Sequence, residues 1–180
     1  VQYYTYFGNV LTGDLGGSIR ENRPALEAVM DKVPMTLAIM LPAMVLELVL
    51  GIVAGIFAAL HRNTLIDRAI MGVSILGFSI PNFVLALVLA LIFAVQLRWL
   101  PSGGSSSYQH MILPVLTLGI SGASVIARYT RSAIIEVIGQ PYVRTAMAKG
   151  SSARDVIVKH VFPNAAIPVV TIVGFMVGSL

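Results

Sequence analysis

Long stretches without a charged side chain constrain this sequence more than any other feature. Between Lys32 and His61 the only ionisable residue is Glu47. Three further runs contain none, residues 69–97, 111–127 and 161–180. A helix that crosses a bilayer needs about 20 predominantly apolar residues. The runs therefore predict four membrane-spanning helices, at residues 34–60, 69–97, 110–135 and 164–180, the last of them truncated.

The composition supports a membrane protein and argues against several other classes. Hydrophobic residues make up 57% of the chain and charged residues 11%, whereas soluble domains average about 25% charged residues. The fold class we expect is all-α, a polytopic transmembrane helix bundle. The net charge of +4 comes from a few clusters and not from a broad basic face, so we expect no nucleic-acid partner.

The side chains that commonly hold metal ions give no pattern typical of a metal site. The sequence has no cysteine. Its three histidines, His61, His110 and His160, are far apart and lack the spacing of metal ligands. We therefore expect neither a protein-bound metal nor a cofactor.

Small residues and one proline shape the predicted spans. Small residues four apart let a second helix approach closely in lipid, and two of the runs contain such sets. These are Gly51, Gly55 and Ala59 in the first run and Gly119, Ala123 and Ala127 in the third. Pro81 lies inside the second run, where it removes a backbone donor and should kink the helix. Because kinked spans often line a pathway, Pro81 is a candidate pathway residue.

Glu47 is the second pathway candidate. A carboxylate near the centre of a span costs about 2.5–3.5 kcal/mol on insertion scales. Such residues tend to face the bundle interior or a water-filled cavity, and they often mark functional sites. Two interpretations remain open at this point: a residue of the translocation pathway, or a protonated side chain hydrogen-bonded to a neighbouring helix.

Lysine and arginine residues near the span ends predict the orientation. They are concentrated in the loop 61–68 and in the segment 128–160, so we place both in the cytoplasm. Residues 1–33 and the loop that begins at Arg98 then lie outside. Trp99 and Tyr108 flank this outer loop, as aromatic residues at a membrane interface do.

Within the cytoplasmic segment, residues 136–163, the sequence predicts two short helices. Pro141 suits the first turn of a helix, and Gly150 suits the left-handed position that ends one. Ser152 and Asp155 have the spacing of a capping box, and Pro163 should interrupt the second helix. The pair has one apolar and one basic face. It can lie on anionic lipid, pack on its own bundle, or dock in a groove of another protein.

The segment "QPYVRTAMAKGSSARDVIVKHVFPNAAIPVV", residues 140–170, resembles the coupling-loop region of ABC importer permeases of the dipeptide/oligopeptide/nickel type. Gly150 and Pro163 fall at the spacing of that family's loop motif. Other segments are similar to the family in the same order, namely "GDLGGSIRENRPALE", "PMTL", "SIPNF", "WLPSGG", "ILPVLTLG" and "ARYTRSAIIEVIGQ". The resemblance covers essentially the whole chain.

The resemblance implies which residues contact an ATPase. The coupling positions are Tyr142, Arg144, Thr145, Ala146, Ala148, Lys149, Gly150, His160, Pro163 and Asn164. Two positions depart from the family pattern: Met147 stands where arginine is usual, and Ser151 where leucine is usual. These departures affect the expected contact with the ATPase and not the fold.

The resemblance also implies a function. It is that of a membrane-spanning permease subunit of an ATP-binding-cassette importer, forming a translocation path for peptides or similar small solutes. The implied partners are cytoplasmic ATPase subunits, a second homologous permease subunit, an extracytoplasmic solute-binding protein and membrane lipid. The implied location is a bacterial or archaeal plasma membrane, the inner membrane if the cell is Gram-negative. Family members have further spans on both sides, so we expect this sequence to be a fragment.

The chain itself is not expected to be an enzyme. Its sequence has no phosphate-binding "GxxxxGK[ST]" loop, so ATP hydrolysis should occur on a separate subunit. Two alternatives of other classes remain: an ATP-independent secondary transporter or channel subunit, and an assembly scaffold without a transport role.

Overall fold

A computed structural model describes residues 2–19, 21–104 and 107–179. Within these residues every regular element is helical, which confirms the predicted all-α fold class. Three helical stretches are long and apolar enough to cross a membrane, or four if one bent pair counts as a single span. The helices are α1 (Gln2–Leu11), α2 (Ala25–Met30), α3 (Val33–Leu60), α4 (Leu65–Ser79), α5 (Asn82–Ala90), α6 (Gln109–Ile138), α7 (Pro141–Ala148), α8 (Ala153–Val156) and α9 (Phe162–Ser179); π-helical segments occupy Leu91–Gln96 and Ile157–Val161.

The chain divides into two compact units between Met40 and Leu41. In the N-terminal unit a turn precedes α2, closed by a 2.8 Å hydrogen bond from the Ala25 N–H to the Gly16 carbonyl. Arg23 pairs with Asp31 and Glu21 at this turn. These two carboxylates hold the pKa of the Arg23 guanidinium above its usual value.

In the second unit, Pro81 separates two helices instead of kinking one continuous helix. Helix α4 ends at Ser79 and α5 begins at Asn82, and the two are bent by 103°. Ile80 and Pro81 between them are extended, with ψ of 122° and 139°. The proline ring disfavours helical geometry at the preceding residue, which accounts for the stop at Ile80. The predicted continuous span 69–97 is therefore a broken pair of helices.

Helices α3 and α6 pack closely through glycines on both sides. A Cβ added to Gly55 of α3 would lie 2.6 Å from the Thr130 Cβ of α6. In the reverse direction, a Cβ on Gly119 of α6 would lie 2.6 Å from the Leu46 Cδ2 of α3. Side chains of ordinary size cannot fit there, so the spacing of small residues in the sequence corresponds to a real helix contact.

The prediction that Pro163 interrupts the second cytoplasmic helix is wrong. Helix α8 runs through the π-helical segment Ile157–Val161 directly into α9, and Pro163 is the second residue of α9. In this segment the Phe162 N–H bonds to the Ile157 carbonyl, five residues back. A wider turn of this kind interrupts the regular α-helical hydrogen bonds. Pro163, which has no N–H to donate, can therefore follow it without ending the helix.

Candidate coupling site

Fully buried valines anchor the predicted coupling segment to its own bundle. Val143 of α7, Val156 of α8 and Val161 of the π-helical segment are each 0% exposed. They belong to one apolar cluster with Ala59, Ala133, Ile134, Ala165 and Val169. This supports packing on its own bundle, one of the three interpretations of the sequence, for the apolar face of the segment.

The π-helical segment explains why these particular residues are buried. Val156 and Val161 are five residues apart, the hydrogen-bond spacing of a π-helix, so they share one face. A regular α-helix would instead align residues four apart, Val156 with His160 and Ile157 with Val161. In the structure Ile157 and His160 are only half-buried.

Local sequence rules determine the turn between α7 and α8. Pro141 occupies the first turn of α7, as predicted. At the other end the Gly150 N–H bonds to the Met147 carbonyl at 3.0 Å, and the Ser151 N–H bonds to the Ala146 carbonyl at 3.2 Å. Gly150 has a φ of +87°. This is a Schellman motif, and it confirms the predicted left-handed glycine.

Ser152 caps the start of α8 as predicted, but the reciprocal bond of a capping box is made by its hydroxyl and not by its backbone N–H. The Ser152 Oγ accepts a 3.1 Å hydrogen bond from the Asp155 N–H and donates a 2.6 Å bond to the Asp155 carboxylate. Lys159 forms a 2.7 Å ion pair with the same carboxylate. The hydrogen bond from Lys159 and then that from Ser152 lower the pKa of Asp155 below its usual value.

Most of the predicted coupling residues form one exposed surface, which we call the α7 face. It is defined by eight exposed residues of α7 and its turn, namely Tyr142, Arg144, Thr145, Met147, Ala148, Lys149, Gly150 and Ser151. The two departures from the family pattern, Met147 and Ser151, therefore lie on this surface. Ala146 is half-buried against the apolar cluster.

The remaining predicted coupling residues lie further along the chain. His160 is in the π-helical segment, and Pro163 and Asn164 begin α9. The Asn164 Nδ2 donates a 2.7 Å hydrogen bond to the His160 carbonyl. Asn164 thus stabilises the backbone beside Pro163.

The two pathway candidates lie away from the α7 face. Glu47 of α3 is only 6% exposed and packs directly on Gly122 of α6, where an added Cβ would lie 1.8 Å from the Glu47 Oε2. Pro81 lies at the break between α4 and α5.

The comparison with known families agrees with this geometry. Residues 51–180 match the family described as the binding-protein-dependent transport system inner membrane component. The chain belongs to this family. Membership in this permease family confirms the predicted resemblance and the predicted membrane location. The matched range includes α4 to α8 and thus the whole α7 face.

Two glutathione transport permeases are similar to the chain along its entire length. The chain is 44% identical over 180 residues to the glutathione transport system permease protein GsiC of Salmonella choleraesuis (strain SC-B67), and 42% identical over 179 residues to that of Escherichia coli (strain K12). These matches cover 100% and 99% of the chain. The chain spans 59% and 58% of the length of these two relatives.

In this permease chain, an ion pair with a buried carboxylate was missed by the sequence analysis. The Arg131 Nε and Nη2 donate to the two carboxylate oxygens of Asp67 at 2.6 and 2.7 Å. The Asp67 side chain is 4% exposed, and the Asn63 N–H donates to it at 2.9 Å. The pair joins the first turn of α4 to the C-terminal third of α6.

A local signal for Asp67 exists in the sequence, but none exists for its partner. Thr64 caps α4 by accepting a hydrogen bond from the Asp67 N–H, so Thr64 and Asp67 have the spacing of a capping box. Arg131 is 64 residues away. Only the packing of α4 against α6 brings it to the carboxylate.

Proposed function

We propose that this chain is part of the permease subunit of an ATP-binding-cassette importer for peptides or similar small solutes. The observation that carries the proposal is the α7 face, an exposed surface on an anchored helix that matches the family's coupling motif. The assigned function of the GsiC relatives favours glutathione as a representative cargo. ATP hydrolysis is assigned to a separate cytoplasmic subunit.

The α7 face docks on the ATPase, and the bundle moves with it. Val143 transmits displacement of α7 to the cluster around Ala133 and Ile134 of α6. A second route begins at the Gly150 turn. Because α8, the π-helical segment and α9 are continuous from Ala153 to Ser179, movement of the turn displaces a membrane span directly.

The other partners complete the transport cycle. A second homologous permease subunit forms the other half of the translocation path, and an extracytoplasmic binding protein delivers the solute. Membrane lipid surrounds the bundle. Glu47 is assigned a packing role, because its carboxyl group fills the space over Gly122 and thereby sets the separation of α3 and α6.

The substitution Arg144→Glu in the full-length protein is expected to reduce ATP-dependent glutathione uptake at least about tenfold, since a like-charge contact at an interface costs several kcal/mol. Arg144 is exposed on α7, so the fold should be unaffected. The measurement is uptake into proteoliposomes that contain the permease pair, the ATPase and the binding protein. Retention of the ATPase on the purified permease is measured in parallel.

The matched control is Arg62→Glu, the same charge change at an exposed residue of the 61–68 loop. Its uptake should stay within about twofold of wild type, because surface charges away from an interface contribute little. Normal uptake and normal ATPase binding by Arg144→Glu would refute the docking role. Uptake by the wild-type protein without any ATPase would instead support the secondary-transporter alternative.

A further inference from the structure

Arg128 of α6 has a setting different from that of every other arginine that the structure describes. Its guanidinium carbon lies 4.6 Å above the centre of the Phe78 ring of α4. Its Nε is buried and has no hydrogen-bond partner. Among residues 2–19, 21–104 and 107–179, no ion pair includes Arg128.

The Arg128 side chain points away from the cytoplasmic end of α4. Arg131 contacts Asp67 and Arg128 contacts Phe78, so residues three apart on α6 reach points eleven residues apart on α4. At 1.5 Å per residue, those points are separated by about 16 Å. Long basic side chains near a membrane usually extend toward water at the interface. Arg128 extends instead along α4 to Phe78, which is 55% exposed.

Two serines lie on the same face of α6 as Arg128. With 3.6 residues per turn, Ser121, Val125, Arg128 and Ser132 share that face. Ser121 and Arg128 are half-buried and Ser132 is exposed, while α3 packs on a different face, at Ile126 and Ala127. A polar stripe left open on a spanning helix is typical of a surface that faces water or cargo.

The break between α4 and α5 lies beside this stripe. Phe78 precedes the extended residues Ile80 and Pro81 by two positions. Non-helical backbone at membrane depth is tolerated only where it is buried in protein or lines a water-filled cavity. Transporters commonly bind solutes at such discontinuous helices.

We propose that Arg128 binds a carboxylate of the imported solute beside the α4–α5 break. The guanidinium group offers a planar fork of donors that matches a carboxylate, and the Phe78 ring holds that fork in place from one side. This proposal rests on the transport function proposed above. It adds the residue that binds the carboxylate of such a solute.

The experiment compares two probes, labelled glutathione and its diamide, in which both carboxylates are replaced by amides. The full-length permease pair, ATPase and binding protein are reconstituted in proteoliposomes. Arg128→Met is expected to lower the ratio of glutathione to diamide uptake at least about tenfold, because it removes a charge-assisted hydrogen bond. Arg128→Lys should keep the ratio within about threefold of wild type.

Several results would overturn the proposal. An unchanged ratio of glutathione to diamide uptake in Arg128→Met would show that Arg128 does not bind the carboxylate, even if total uptake falls through misfolding. An effect that disappears in vesicles without anionic lipid would assign Arg128 to a lipid phosphate. No ATP-dependent uptake by the wild-type complex would reject the transport function itself, which separates the two failures.

Discussion

Gly55→Leu in the full-length protein is expected to prevent formation of the native helix bundle. An added Cβ at this position would lie 2.6 Å from the Thr130 Cβ and 2.7 Å from the Ala127 carbonyl oxygen. The backbone of α6 cannot yield to a leucine without separating from α3. Overpacking a tight site costs about 1–3 kcal/mol, and we expect at least the upper end because helix backbone lies on the opposite side.

The measurement is the yield and thermal unfolding of the purified protein in detergent. Gly72→Leu is the matched control, because an added Cβ at Gly72 of α4 meets nothing within 4 Å. The control should give near-wild-type yield and unfolding, whereas Gly55→Leu should give little folded protein. Equal behaviour of the two variants would contradict the close approach of α3 and α6.

Asp67→Ala is expected to be the most destabilising single charge removal in the second unit. The substitution removes the Asp67 carboxylate, which is 4% exposed, and leaves the Arg131 guanidinium without its partner. Because the Arg131 side chain is 24% exposed and keeps some access to water, the cost should be about 1.5–3 kcal/mol, the range for hydrogen bonds to charged groups. The substitution also removes the acceptor of the Asn63 N–H, which frees the loop before α4.

The control for this prediction is Asp155→Ala, which breaks an ion pair with side chains that are 67% and 48% exposed. Exposed pairs contribute about 0–1 kcal/mol, so this variant should unfold at nearly the wild-type denaturant concentration. The double variant Asp67→Ala/Arg131→Met should regain much of the lost stability, because no unpaired charge remains. Similar unfolding free energies for Asp67→Ala and Asp155→Ala would show that the Asp67–Arg131 pair stabilises the fold no more than an exposed ion pair does.

Features governed by neighbours in the sequence were predictable. Charge-free runs indicated long apolar helices because the bilayer demands apolar length, and the bounds of the spans stay a prediction. Gly150 and Ser152 were read correctly as helix end and helix start, since both depend on hydrogen bonds within a few residues. The positions of the family's motif predicted which residues contact an ATPase, and that contact stays a prediction.

Features that depend on packing were not predictable. Pro163 was expected to end a helix because the rule for proline assumes regular α-helical hydrogen bonds. The π-helical segment before it changes that pattern, and the burial of Val156 and Val161 stabilises it. Pro81 indicated a kink locally, but not the size of the 103° bend. The Asp67–Arg131 pair depends on how α4 packs against α6, which no local pattern encodes.

The central claim is that the α7 face contacts a cytoplasmic ATPase. It is tested most directly by placing a photoreactive amino acid at Met147, 49% exposed on α7, in the full-length protein co-expressed with its ATPase. Val73 of α4, 68% exposed, is the matched control position. The account predicts that irradiation of the purified complex cross-links position 147, and not position 73, to the ATPase. Cross-linking from neither position in an intact complex, or equally from both, would contradict it.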